Sequence, residues 1–165
     1  MKKALIVFLL GSVLPNLCLA QENGRYESLK AAFQNPEVVI VLELWGSDNK
    51  LTELPKNISQ FKNVKSIILR GNDLTTLPES IQELKFLEEL SLGDNEHLDI
   101  PSVCIILSKL PNLRELDLEN TGFQSIPNEI GLLNKLKKLF VGLNGLDSNQ
   151  LRTLKRLFPR TEISE

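Results

Sequence analysis

The stretch Val64-Lys65-Ser66-Ile67-Ile68-Leu69-Arg70-Gly71-Asn72-Asp73-Leu74-Thr75-Thr76-Leu77-Pro78 decides the fold. Ile67 and Leu69 are two residues apart, which puts both side chains on one face of an extended strand. Asn72 follows where the chain must turn away. Its amide offers two donors and an acceptor to the backbone groups that the turn leaves open. Leu74 and Leu77 continue the apolar face, and Pro78 suits the first turn of a helical segment. Ile81 and Leu84 then recur at three-residue spacing, the period of a short helix or a 3₁₀ turn. One strand followed by one such segment cannot bury its apolar face alone.

The unit recurs along the chain. Leu87, Leu90, Leu92 and Asn95 form the next copy. Leu113, Leu116 and Leu118 follow, with Thr121 in the asparagine place, then Phe123 and Ile126. Leu136, Leu139, Val141, Asn144 and Leu146 make the last. An imperfect first copy runs Val39, Leu42, Leu44, Asn49, Leu51, Leu54, with two extra residues around Gly46-Ser47. The starts at Val64, Leu87, Leu113 and Leu136 lie 23, 26 and 23 residues apart. Pro55, Pro101 and Pro127 precede the pairs Ile58 and Phe61, Cys104 and Leu107, and Ile130 and Leu133. Stacked copies bury a continuous aliphatic core. The pattern therefore predicts an α/β solenoid, with five parallel strands on the concave face and short helical or 3₁₀ segments on the convex face.

These residues resemble the leucine-rich-repeat family, in its 23-residue class with an L-P-x-x-I-x-x-L second half. The resemblance covers about residues 39–147. Such arrays need capped ends. Tyr26, Leu29, Ala32 and Phe33 stand at helical spacing before Asn35-Pro36, which predicts a helical N-terminal cap over 21–38. Asp147 or Ser148 is placed to cap a helix carrying Leu151, Leu154, Leu157 and Phe158 before Pro159, the C-terminal cap over 148–165. Thr161-Glu162-Ile163 is a candidate edge strand. With both caps present the array is expected to be complete. Bacterial leucine-rich-repeat ubiquitin ligases carry a large catalytic domain after their repeats, and that activity is not carried over here.

Residues 1–20 read as a signal peptide. Lys2 and Lys3 precede an apolar run from Ala4 to Leu14, and Cys18-Leu19-Ala20 predicts cleavage after Ala20. The run is too short for a membrane span, which needs ~20 residues. Leu17 next to Cys18 speaks against lipidation at that cysteine. The Ala20-Gln21 junction resembles those of exported Gram-negative proteins, so a secreted or periplasmic location is expected. The net charge of −2 becomes −4 when Lys2 and Lys3 leave. A mildly acidic chain without a basic stripe argues against nucleic acid and anionic membranes as partners. Cys104 is then the sole cysteine and has no partner for an intramolecular disulfide.

Acid–base motifs are missing from the sequence. The single histidine, His97, falls at a turn where Leu98 takes over the packing role, and Gly93-Asp94-Asn95-Glu96 lacks the spacing and lysine of a phosphate loop. Cys104 occupies the place of Ile58, Ile81 and Ile130 and reads as a small core residue. Neither an enzyme nor a cofactor is expected.

What varies between copies is the concave face. The positions flanking the inward leucines supply Val41, Ser66, Glu89, Glu115 and Lys138; then Glu43, Ile68, Ser91, Asp117 and Phe140; then Trp45, Arg70, Gly93, Glu119 and Gly142. Glu89, Glu115, Asp117 and Glu119 are expected to form an acidic patch. Trp45 with Ile68, and Phe140 with Leu143, form two apolar spots. Exposed apolar groups beside charge mark binding surfaces. The reading is a monomeric module that recognises a protein or peptide through Asp117, Glu119, Phe140, Glu115, Glu89, Arg70, Trp45 and Ile68. Three alternatives stay open: an envelope-associated structural protein, a metal site from Asp117 and Glu119, and a Trp45 packed under the N-terminal cap.

Overall fold

Seven parallel strands follow one another in chain order across a single sheet in the computed structural model, which describes residues 24–46 and 50–165. The strands are β1 (Arg25–Tyr26), β2 (Val41–Glu43), β3 (Ser66–Ile68), β4 (Glu89–Ser91), β5 (Glu115–Asp117), β6 (Lys138–Phe140) and β7 (Glu162–Ser164). The expected signal peptide and Cys18 lie outside the described residues, as does Asn49 of the first copy.

The register follows the repeat. Ile67 pairs with Leu42 and Leu90, Leu90 with Leu116, and Leu116 with Leu139. These leucines and isoleucines are essentially without solvent contact, as are Leu69, Leu92 and Leu118 beyond each strand. Convex segments close the core from the other side. Three are 3₁₀ turns, Lys56–Gln60, Glu79–Glu83 and Asn128–Leu132, each entered through a proline in extended conformation. The copy with 26-residue spacing differs. Its extra residues lengthen the segment into α2 (Ile100–Leu107), with Pro101 in the first turn and the Asp99 carboxylate accepting from the Ser102 N–H. Cys104 is fully buried there, and burial pushes its thiol up to about 12.

The turn asparagines act as braces between copies. Asn72 donates to the carbonyls of Leu44 (2.7 Å) and Leu69 (2.8 Å) and accepts from the Leu51 N–H (2.8 Å). Asn95 donates to Leu69 and Leu92 and accepts from the Leu74 N–H. Asn144 repeats the pattern on Leu118, Val141 and the Thr121 N–H. Thr121 keeps one of these bonds, from its hydroxyl to the Leu118 carbonyl. The three asparagines thus fasten their copies to the one before through groups that would otherwise be buried without partners, at a cost of roughly 1–3 kcal/mol each, whereas the Thr121 bond stays within its own copy.

Three expectations need correction. The sheet has seven strands and not five: the candidate edge strand near the C-terminus forms as β7, and the N-terminal cap adds the unforeseen β1. Tyr26 lies in β1 and not in a helix; α1 is confined to Leu29–Ala32, capped by the Ser28 hydroxyl. Tyr26 is nevertheless buried, since pairing with Leu42 turns its ring into the core. At the other end α3 (Ser148–Leu157) carries a capping box of Asp147 and Gln150, yet Leu157 is 51% exposed. Phe158, one residue past the helix, fills the core in its stead. Asn63, exposed between two repeats, donates to the Glu37 carbonyl (2.7 Å). Asn112 does the same to Lys85 (2.7 Å), so a second, outer set of braces exists.

Candidate functional site

Strand pairing sets the varying positions in rows across the concave face. Ser66, Glu89, Glu115 and Lys138 form one row; Glu43, Ile68, Ser91, Asp117 and Phe140 form the next. Trp45, Arg70, Gly93, Glu119 and Gly142 follow beyond the strand ends, where N–H groups of Gly46, Gly71, Asp94 and Asn120 still bond to the neighbouring copy. Leucine alternation fixes this outward aim, because residues between two buried side chains on a strand must point to the other face.

Arg70 organises the third row. Its Nε reaches Asp94 Oδ2 at 2.6 Å, and its Nη1 lies 3.1 Å from both Asp117 Oδ2 and Glu119 Oε2. The side chain crosses β4 to do so, and Gly93 is what lets it pass. A Cβ on Gly93 would stand 2.8 Å from Arg70 Nη1 and 2.9 Å from Asp117 Oδ2. Partial burial works against the guanidinium's charge, but the Glu119 hydrogen bond and the charges of Asp117 and Asp94 outweigh it and hold its pKa above the ordinary value. Asp117 is fully engaged: Ser91 Oγ donates to it at 2.6 Å and the Glu119 N–H at 2.9 Å. Asn120 Nδ2 extends the network to Asp94 (2.8 Å).

The acidic patch is therefore a lattice of mixed charge. Lys138 Nζ sits 2.9 Å from Glu115 Oε1, and this hydrogen bond, with the charges of Glu115, Glu162 and Glu89, raises the lysine pKa. Arg25 pairs with Glu43 at the N-terminal edge. Of the four acids expected to form the patch, Glu89 alone has no ion pair among the described residues. The metal site considered for Asp117 and Glu119 is not formed. The Arg70 guanidinium occupies the space between the two carboxylates, and no metal-holding group of three His, Cys, Asp or Glu occurs among the described residues.

The apolar residues behave differently from each other. Trp45 is 55% exposed and does not pack under the N-terminal cap. It stands beside a cleft lined by Leu29, Lys30, Leu51 and Asn72, apart from the centre of the face. Ile68 and Phe140 are half-buried and border one cavity of about 160 Å³ together with Ser66, Glu89, Ser91, Glu115 and Asp117. Leu143 is 79% exposed at the rim and has a left-handed backbone (φ 59°). Gly71, Asp94 and Asn120 hold the same conformation at the equivalent turn, residue types that tolerate it better than leucine. Sequence reasoning singled out Arg70 and the acids but missed that Gly93, Asp94, Ser91 and Lys138 join them. The available signal was the small residue at Gly93 between two charged neighbours in the row.

A family model described as Leucine Rich Repeat matches residues 112–133. No curated protein matches the sequence significantly. Among solved structures, an internalin from Listeria monocytogenes is 17% identical over 78% of this chain and 44% of its own, with a TM-score of 0.55. The leucine-rich repeat domain of the type III effector XopL is 26% identical over 81% of this chain and 46% of its own, with a TM-score of 0.55. The plant peptide hormone receptor RGFR1, solved in complex with RGF2, is 22% identical over 74% of this chain and 19% of its own, with a TM-score of 0.51. The chain spans about half, or less, of these solved chains. The matched repeat and the shared architecture agree with the strand-by-strand evidence: the fold is a leucine-rich-repeat solenoid.

Proposed function

We propose that this protein is an exported recognition module of the 23-residue leucine-rich-repeat class, from a bacterium, that binds a peptide or an exposed protein segment on its concave face. Residues 1–20 would be removed on export, 21–38 and 148–165 would cap the array, and 39–147 would carry the repeats. The observation that carries the reading is the cavity between Ile68 and Phe140. The leucines already supply the core, so apolar side chains left half-exposed on this face, where polar ones would be solvated, mark it as a binding surface.

Size selects the kind of partner. Seven strands at ~4.8 Å spacing span about 29 Å, and the usable strand length is about 13 Å, so the face offers on the order of 400 Å². That is half the ~800 Å² per partner of a standard interface. A short segment fits such a face, with modest affinity concentrated in few residues. Phe140 and Ile68 act as anchors. Asp117, Glu119 and Arg70 hold the floor in shape, Glu89 and Glu115 supply negative charge beside the cavity, and Trp45 extends the surface toward the N-terminal end.

The test is selection of binding peptides from a random displayed library, followed by affinity measurement on variants. Phe140→Ala and Asp117→Ala are expected to weaken binding at least tenfold, while Lys85→Ala on the convex side leaves it unchanged. If the two concave variants fold and bind as the parent does, the concave assignment is wrong. N-terminal sequencing of the exported protein checks the rest; a chain beginning at Gln21 is expected, and an uncleaved or Cys18-lipidated chain refutes it.

A further inference from the structure

Resting on the concave-face reading, we infer that the cavity between Ile68 and Phe140 receives one lysine or arginine side chain of an extended peptide segment. Volume comes first. At about 160 Å³ the cavity, an open depression and not a closed hole, is well below the ~300 Å³ at which small-ligand sites begin. It admits one side chain. Its length follows from the register. Ile68 and Phe140 stand three strands apart, ~14 Å at the usual spacing, with only the short Ser91 and Asp117 between them in that row. A long, thin side chain fits a trough of that shape better than a ring.

Chemistry selects the charge. The two ends of the trough are apolar, and one side carries Glu89 and Glu115. Asp117 is satisfied by Arg70, Ser91 and a backbone N–H, and Lys138 answers Glu115. Glu89 is left without a paired cation among the described residues, one strand from Glu115. Lysine and arginine combine an aliphatic stem with a cationic head, and they bury the first while the second stays with charge or water. The stem would lie along Ile68 and Ser91, with Phe140 closing the far end of the trough. The head would reach Glu89. An acidic side chain would meet Glu89 and Glu115, and an uncharged aliphatic one would leave the acidic side unanswered.

Blocked pentapeptides, identical except for a central arginine, lysine, norleucine or glutamate, test this by titration of the ¹⁵N-labelled protein. The arginine and lysine peptides are expected to shift the amides of Ile68, Glu89, Ser91 and Phe140 and to bind about tenfold tighter than norleucine. The glutamate peptide is expected not to bind. Glu89→Gln, an exposed change with no packing consequence, should erase most of that preference, and high salt should narrow it. Equal binding of the norleucine peptide at the same amides overturns the basic occupant while sparing the concave face. Shifts confined to other surfaces, or no shift at millimolar peptide, also overturn it; the library-selected peptides then judge the concave face separately.

Discussion

Gly93→Ala is the most informative single change in the concave lattice. The glycine has an ordinary backbone, so alanine is tolerated locally and reduces unfolded-state freedom by about 0.4–1 kcal/mol. Its methyl, however, would stand 2.8 Å from Arg70 Nη1, so the flexible guanidinium must lift away. The pairs with Asp117 and Glu119 would be lost, and the nearer contact to Asp94 could persist. Side-chain exposures of 27% for Arg70, 17% for Asp117 and 28% for Glu119 place these pairs between surface and interior. At about 1 kcal/mol each, the upper end for exposed pairs, they amount to about 2 kcal/mol. The net cost of Gly93→Ala is then about 1 kcal/mol. In an Arg70→Ala background the same change has nothing to displace but the Asp117 carboxylate, and it should be neutral or slightly stabilising. Equilibrium urea unfolding of the four proteins reads the coupling directly, expected at about 1–2 kcal/mol. Gly131→Ala, where a Cβ meets nothing within 4 Å, serves as the control and should be neutral or stabilising. If Gly93→Ala costs the same with and without Arg70, the reasoning fails.

Three further outcomes are expected. Asn72→Ala should cost about 3 kcal/mol, since three backbone partners lose their bonds, and Asn63→Ala at most about 1 kcal/mol for one exposed bond; equal denaturation midpoints would contradict the brace. The Cys104 thiol titrates near 12 folded against an ordinary 9.0, so the folded state holds its proton where the unfolded state has lost it. Stability from this group is complete below about pH 9 and falls by about 1.4 kcal/mol per pH unit up to pH 12, a loss that Cys104→Ala should remove from the alkaline unfolding curve. Leu143→Asn should raise stability by about 1 kcal/mol because asparagine accepts the left-handed backbone more readily; an unchanged or lower urea midpoint would show that the leucine carries no strain.

Much of the architecture was legible because burial depends on period. Leu-x-Leu at intervals of 23 to 26 residues leaves one solution, and both residues of each such pair, from Leu42 and Leu44 to Leu139 and Val141, are buried. The turn asparagines were legible for a similar reason, because their hydrogen-bonding capacity matches a recurrent need. Strand β1 was not. Two residues cannot display an alternation, and Tyr26 with Leu29 mimics a helical turn; only pairing with Val41 and Leu42 makes it a strand. The concave network was legible in membership but not in arrangement. The sequence placed acids in neighbouring copies, but whether Arg70 reaches across β4 depends on the missing side chain at Gly93 and on strand twist. Ion pairs between strands carry no periodic signature, so Lys138 with Glu115 and Arg70 with Asp94 emerged only from the fold.

The central claim is that recognition occurs on the concave face, and an amide map of the bound state tests it most directly. The ¹⁵N-labelled protein is titrated with the tightest library-selected peptide, and shifts are read residue by residue. The largest shifts are expected in Ser66–Ile68, Glu89–Ser91, Glu115–Asp117 and Lys138–Phe140, with Phe140→Ala abolishing them at the same peptide concentration. Shifts concentrated in the convex segments Lys56–Gln60, Glu79–Glu83 and Ile100–Leu107, and indifferent to Phe140→Ala, would contradict it.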